Sequence, residues 1–317
     1  GISFASGSLG SVIQHAYISG ATTCIDINGS VHVINRNIIR GCNTGIYIRS
    51  GTPQIENNLI VENATQGIYV GSASIPHIRN NTIDLNGSYG VYFYFPSTQI
   101  IFENNLVTRN STGLSRPQDH TSYDFQLAYN NVWGNGTDYG LMSAADTDIS
   151  SDPQYLSPYL GDRRLDDGSP SKTASSIGTE LGAYGNGGDL AVYTDVYDFS
   201  TTPTTEGSLT QHERWSGEVV LTGTVTVARP YNLDIEPGTV IKIPVNASIN
   251  INSSAEIVGT LTAPIIFEAA VNGEQWGGIN FSSGSIGSVI QHANISGASN
   301  CLNISNSVHV IRNIIHG

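Results

Sequence analysis

Charge is what this sequence has least of. Charged residues make up 12% of the 317, where a soluble domain carries roughly 25%. Lysine is reduced to Lys172 and Lys242, and the net charge is -13 at pH 7. A chain of that sign repels phosphate, which excludes a basic nucleic-acid binder. There is no run of ~18 apolar residues, so no membrane-spanning helix is expected in this segment. The shortage of Lys and Glu, with no heptad pattern, excludes a coiled coil. Three cysteines and their spacing give no zinc site. No phosphate-binding glycine loop and no Ser-His-Asp order stands out. Residue 1 is a glycine inside a strand-like segment, so the chain reads as a piece of something longer.

What the sequence has is glycine, asparagine and repetition. Residues 1–34, GISFASGSLGSVIQHAYISGATTCIDINGSVHVI, return 277 positions later as GINFSSGSIGSVIQHANISGASNCLNISNSVHVI, with 24 of 34 positions identical. A second, shorter period of 21–26 residues runs inside the first part. The block Ile55-Glu56-Asn57-Asn58-Leu59-Ile60 returns as Ile78-Arg79-Asn80-Asn81-Thr82-Ile83 and as Phe102-Glu103-Asn104-Asn105-Leu106-Val107. Looser copies are Ile34-Asn35-Arg36-Asn37-Ile38-Ile39 and Ala128-Tyr129-Asn130-Asn131-Val132-Trp133. A block in step with it reads Gly45-Ile46-Tyr47-Ile48, Gly67-Ile68-Tyr69-Val70, Gly90-Val91-Tyr92-Phe93 and Gly113-Leu114.

Each short repeat holds two or three brief runs that alternate apolar and polar, the pattern of half-buried strands. Gly, Asn and Ser separate them, where tight turns need left-handed backbone. Several short strands per period of this length make one coil of a parallel β-solenoid. Coils stack at the ~4.8 Å interstrand spacing, so equivalent residues form ladders. Asn37, Asn58, Asn81, Asn105 and Asn131 are expected to form one such ladder, bonding amide to backbone from coil to coil.

The I-x-N-N-x-I coils over residues 10–140 resemble the right-handed parallel β-helix family, the pectate-lyase-like solenoids. The resemblance extends to Asp152-Pro153-Gln154-Tyr155, Gly161-Asp162-Arg163-Arg164-Leu165, Gly168-Ser169-Pro170 and Gly182-Ala183-Tyr184-Gly185, which look like the tail closing such domains. Leu233 to Ile241, Gly259 to Phe267 and Trp276-Gly277-Gly278-Ile279 resemble opening coils of the same class. It implies an all-β, right-handed parallel β-helix in tandem units of about 277 residues, of a secreted or cell-surface type. The expected organisation is 1–140 later coils of one unit, 141–185 its C-terminal tail or cap, 186–214 a linker or surface wrap, and 215–317 opening coils of the next unit.

The fold hosts lyases, hydrolases, adhesins and scaffolds, so function must come from a site. Enzymes of this family, as the resemblance implies, stack acids on one outer strand face, around Ca²⁺ or as a pair. The outward positions here are Asp26, then Tyr47, Tyr69 and Tyr92, and no second Asp stacks. Glu56, Arg79 and Glu103 read as a surface ion-pair ladder of little weight. Asp146, Asp148 and Asp152 offer a weak Ca²⁺ site with no matching base. Asp162, Arg163, Asp166 and Asp167 read as structural parts of the tail. His15 and His292, tandem copies in S-V-I-Q-H, read as packing residues. No catalytic residue, cofactor-binding residue or metal ligand is assigned.

Tyr47, Tyr69 and Tyr92 are expected to form an exposed stripe: cross-coil stacking, a subunit contact or a platform for sugar rings. Cys24 and Cys42 lie about one coil apart. They are either a disulfide, which fits an extracellular setting, or two buried thiols. Cys301 is the tandem copy of Cys24. Sequons at Asn28, Asn63, Asn86, Asn110, Asn135, Asn246, Asn252, Asn294 and Asn303 are glycosylation candidates, with Asn80 a poorer one beside the ladder. The expectation is a non-enzymatic extracellular structural protein, a unit of a cell-surface layer, sheath or fibre that assembles with copies of itself. A polysaccharide-binding adhesin, or a polysaccharide lyase or hydrolase, is the alternative. Cell-surface glycans are a second class of partner.

Overall fold

A computed structural model of the chain describes residues 1–29, 32–94, 100–117, 125–158, 161–185, 190, 199–228, 231–253, 255–282, 285, 288–305, 309–311 and 313–315. The chain divides into two compact units. The first holds 1–158 and 162–194, the second 159–161 and 195–317.

The first unit is a solenoid of three parallel sheets. The first sheet has seven strands, from Ile2–Phe4 through Thr44–Gly51 and Gln66–Ser74 to Thr137–Gly140. The second runs from Val12–Gln14 to Phe125–Ala128, and the third from Tyr17–Ser19 to Asn131–Trp133, with six strands each. The chain visits one strand of each sheet per coil, so every strand pairs with its equivalent one coil away.

In-register pairing stacks like on like. Ile25, Ile46, Ile68, Val91 and Leu114 form one continuous inward column in the first sheet. Ile34, Ile55, Ile78 and Phe102 do so in the second, and Ile39, Ile60, Ile83, Val107 and Val132 in the third. All are fully buried, and each contributes about 1.5–3 kcal/mol.

Both corners flanking the third sheet use one construction, a left-handed residue followed by a residue that reaches into the next coil. Arg36, Asn57, Asn80, Asn104 and Tyr129 take the left-handed position before the third sheet, with φ of 53–58°. Gly41, Glu62, Leu85, Arg109 and Gly134 take it after. His15 also belongs to this series, at φ 54°. It is an exposed turn residue, not the packing residue its sequence suggested. Its tandem copy His292 is half-buried at φ 48°.

The glycine in each G-[IV]-Y block answers to a close approach. A Cβ on Gly67 would lie 2.7 Å from the Gly90 carbonyl oxygen and 2.9 Å from Asn86 Nδ2. Gly45, Gly90 and Gly113 are hemmed in the same way by the next coil.

The third sheet departs from in/out alternation. Ile38–Arg40, Leu59–Val61, Thr82–Asp84 and Leu106–Thr108 are buried on both faces. The reason is the tail, which folds back over this sheet. Tyr155–Ser157 and Asp162–Leu165 form a short antiparallel hairpin. Leu165 and Leu181 pack on Leu106, while Ala183 and Leu190 pack on Ile38, Leu59 and Val61. The Gly182 and Ala183 amides donate to Asn104 O and Thr82 Oγ1 at 3.0 Å each.

The second unit is also a three-sheet parallel solenoid, with five strands per sheet. Its strands begin at Gly207–Ser208 and Glu213–Trp215. Within the stretch 186–214, expected as a linker or surface wrap, the last residues already pair with Val225–Val227 and Leu233–Ile235. The tandem copy builds the same strands in each unit. Ile2–Phe4, Val12–Gln14, Thr23–Asn28 and Val33–Asn35 correspond to Gly278–Phe281, Val289–Gln291, Leu302–Ile304 and His309–Ile311.

Candidate functional site

Two places in the first unit gather chemistry-bearing side chains. One is the outer face of the first sheet and the other lies under the tail.

On the outer face, register brings Asp26, Tyr47, Tyr69, Tyr92 and Ser115 into one row. The tyrosines do not present the open stripe expected of them. All three are half-buried, because they cover one another. Tyr47 and Tyr69 stack with centroids 4.6 Å apart and planes 7° off parallel. Tyr92 lies 5.7 Å from Tyr69 and 4.8 Å from Tyr89, and Tyr94 lies 5.9 Å from Tyr69. The Arg49 guanidinium sits over the Tyr47 ring at 4.4 Å while gripping both Asp26 oxygens at 2.8 and 2.9 Å. Burial, with Tyr47, Tyr94 and Tyr92 close by, pushes the Tyr69 phenol up to about 12. A sugar ring stacks on an aromatic face, and in this row neighbouring rings or Arg49 occupy those faces.

Under the tail lies a buried ion network. Asp84 accepts from Arg109 Nε at 2.8 Å, Thr108 Oγ1 at 2.7 Å and Arg163 Nε at 3.1 Å, and also pairs with the Arg109 Nη2. Arg163 reaches on to Glu62 at 2.9 Å, and Glu62 pairs with Arg40. The Tyr155 hydroxyl closes on Thr108 at 3.0 Å. Burial opposes ionisation of Asp84, but Arg109 and Arg163 outweigh it and hold its carboxyl below the usual range. Arg163 read in sequence as a structural part of the tail. Its partners Asp84 and Glu62 carried no signal, since nothing local marks a carboxylate that meets an arginine 79 or 101 residues away.

The asparagines form two ladders. In the first, Asn37, Asn58, Asn81 and Asn105 each donate both backbone N–H and Nδ2–H to Oδ1 of the next rung, at 2.9–3.2 Å. The fifth rung is Asn130, not Asn131. Leu106 pairs with Asn131, which puts Asn130 opposite Asn105. Asn131 instead bonds Ser151 and Ser171. A second ladder, Asn63–Asn86–Asn110–Asn135, repeats the pattern at the other corner. Its spacing is in the sequence, but these positions read as sequons. Burial speaks against glycosylation of these four: Asn63, Asn86 and Asn110 are fully buried and Asn135 is 8% exposed, with every Nδ2 engaged. A glycan there is incompatible with the fold. Among the other sequons Asn246, Asn252 and Asn303 are exposed, and Asn28, Asn80 and Asn294 are half-buried.

Both ladders end on aspartate. Asp148 closes the first and Asp138 the second. The other Asp148 oxygen accepts from the Tyr139 hydroxyl and the Ala145 amide, and Asp152 accepts from the Gln154 amide. Of the Asp146, Asp148 and Asp152 set considered for Ca²⁺, Asp148 is thus committed to the ladder end and Asp152 to a turn, while Asp146 is exposed. Among the described residues no group of three His, Cys, Asp or Glu side chains is placed to hold a metal ion. Cys24 and Cys42 are joined in a buried disulfide, and the buried Cys301 donates its Sγ–H to the Ile295 carbonyl at 3.9 Å. Arg79 pairs with Glu103 at 3.0 Å on the outer second sheet.

Residues 1–150 match the family described as the right handed beta helix region. That match falls on the three-sheet parallel winding of the first unit. The fold is a right-handed parallel β-helix. No curated protein matches it. Within the β-helix, no helix of the described residues is long and apolar enough to cross a membrane.

Proposed function

We propose that this β-helix chain is a non-enzymatic extracellular structural protein, one stretch of a tandem array in a cell-surface layer, sheath or fibre that assembles with copies of itself. The observation that carries the reading is the 277-residue tandem, whose two copies build corresponding strands in both units. A solenoid gains stability with each stacked interface, so repetition suits a long, stiff object.

The acids support the same reading. Asp84 is buried and Glu62 half-buried, both paired with arginine, Asp26 is held by Arg49, and Asp138 and Asp148 end the asparagine ladders. Glycoside hydrolysis needs two carboxylates free to face a substrate, and these are committed to architecture. The Cys24–Cys42 disulfide supports an oxidising, extracellular setting.

Sedimentation velocity over a range of protein concentrations tests the proposal. Species that grow with concentration are expected. A sharp monomer at every concentration, together with cleavage of an acidic polysaccharide, would replace this reading with an enzymatic one.

A further inference from the structure

The tyrosine row on the outer face of the first sheet has a reactivity that stacking alone does not exhaust. In-register parallel pairing places Tyr47 and Tyr69 directly opposite. Their rings lie 4.6 Å apart, 7° from parallel, and their hydroxyls interact. The two rings therefore face each other with their hydroxyl-bearing ends together. Both residues are only half-buried, so each phenol keeps an edge open to an oxidant.

We propose that Tyr47 and Tyr69 are a built-in site of dityrosine cross-linking, which staples neighbouring coils of the solenoid covalently. The oxidant class is hydrogen peroxide acting through a haem peroxidase. Each phenol loses one electron and its hydroxyl proton, giving two phenoxyl radicals. These join through their ortho carbons in a new carbon–carbon bond. The hydrogens on those two carbons move to the oxygens as the rings regain aromaticity. Two tyrosines thereby lose two hydrogens in all, and one hydrogen peroxide becomes two waters.

Geometry selects this pair over the rest of the row. Tyr92 is tilted 40° to Tyr69 at 5.7 Å, and Tyr94 stands 5.9 Å from Tyr69. Only the Tyr47–Tyr69 contact is both close and near-parallel within the row. The proposal is independent of assembly, because the bond forms within one chain.

The test uses the whole folded chain at low concentration, treated with limiting peroxidase and hydrogen peroxide, then reduced and digested with trypsin. Cleavage at Arg40, Arg49 and Arg79 leaves Tyr47 on the peptide 41–49 and Tyr69 on 50–79. The expected product joins these two peptides, two hydrogens lighter than their sum, and shows dityrosine fluorescence. Tyr69→Phe keeps the stack and is expected to abolish that product. A chain unfolded in urea is expected to give at least five-fold less of it. Absence of the joined peptide, or equal yield from the unfolded chain, would overturn the proposal.

Discussion

Asp148 accepts both the backbone N–H and the Nδ2–H of Asn130, at 2.8 and 3.0 Å. Asp138 does the same for Asn135, at 3.2 and 2.9 Å. An interior rung must accept from one side and donate to the other, which asparagine does and aspartate does not. The last rung only needs to accept. The change from Asn to Asp thus stops each ladder without leaving a buried donor unpaired.

Asn81→Ala tests the interior of a ladder. It strands the backbone N–H and one Nδ2–H of Asn58 and removes the Nδ2 bonds to the Ile55 carbonyl and to Asn105 Oδ1, which keeps the residue-81 backbone N–H. Each buried group left alone costs about 1–3 kcal/mol, so a loss on the order of 4 kcal/mol is expected in urea unfolding. A loss under about 1 kcal/mol would mean the ladder is replaceable by packing.

Asp148→Asn tests the end. The new amide turns donors toward Ala145 N–H and the Tyr139 hydroxyl, or toward Asn130. A cost of about 1–3 kcal/mol is expected, with loss of hydrogen-exchange protection at Ile149, whose amide bonds Asn130 O. Unchanged protection at Ile149 would contradict the role given to Asp148.

Arg163→Met tests the latch between tail and third sheet. It leaves Glu62 and Asp84 short of one cation in a buried site, which costs about 3–5 kcal/mol. The exchange of the Gly182 and Ala183 amides should accelerate first, because they mark the tail on the sheet.

The same latch sets a pH dependence. Asp84 ionises more readily folded than unfolded. Its contribution is therefore complete above the ordinary carboxylate pKa of about 4, and is lost only as pH falls through the lower folded value. Gly182 and Ala183 protection should hold from pH 7 down to about 4 and fall below that. Loss of protection near pH 6 would contradict it.

Glycan placement follows from the ladders. In a host that glycosylates asparagine, mass spectrometry of the secreted chain should find Asn246, Asn252 or Asn303 occupied, and Asn63, Asn86, Asn110 and Asn135 bare. Glycan on any of the last four in folded protein would contradict the second ladder.

The repeats made the winding legible, because in-register stacking writes the coil period directly into the sequence. The Tyr row and the first four rungs of one ladder were legible for the same reason. The fifth rung was not, since Asn130 and Asn131 are adjacent and only the pairing of Leu106 with Asn131 separates them. The second ladder was hidden by a coincidence of chemistry: each of its asparagines also opens an Asn-x-Ser/Thr sequon, and the same residues serve a turn. The network of Asp84, Arg109 and Arg163 was illegible, because the tail that completes it comes from far along the chain. Cross-coil stacking was one of three readings the sequence left open for Tyr47 and Tyr69, and ring geometry, which no sequence pattern carries, shows that stack.

Electron microscopy of native material containing this chain tests the central claim most directly. The account predicts regular fibres, tubes or sheets. Dispersed single particles would contradict it.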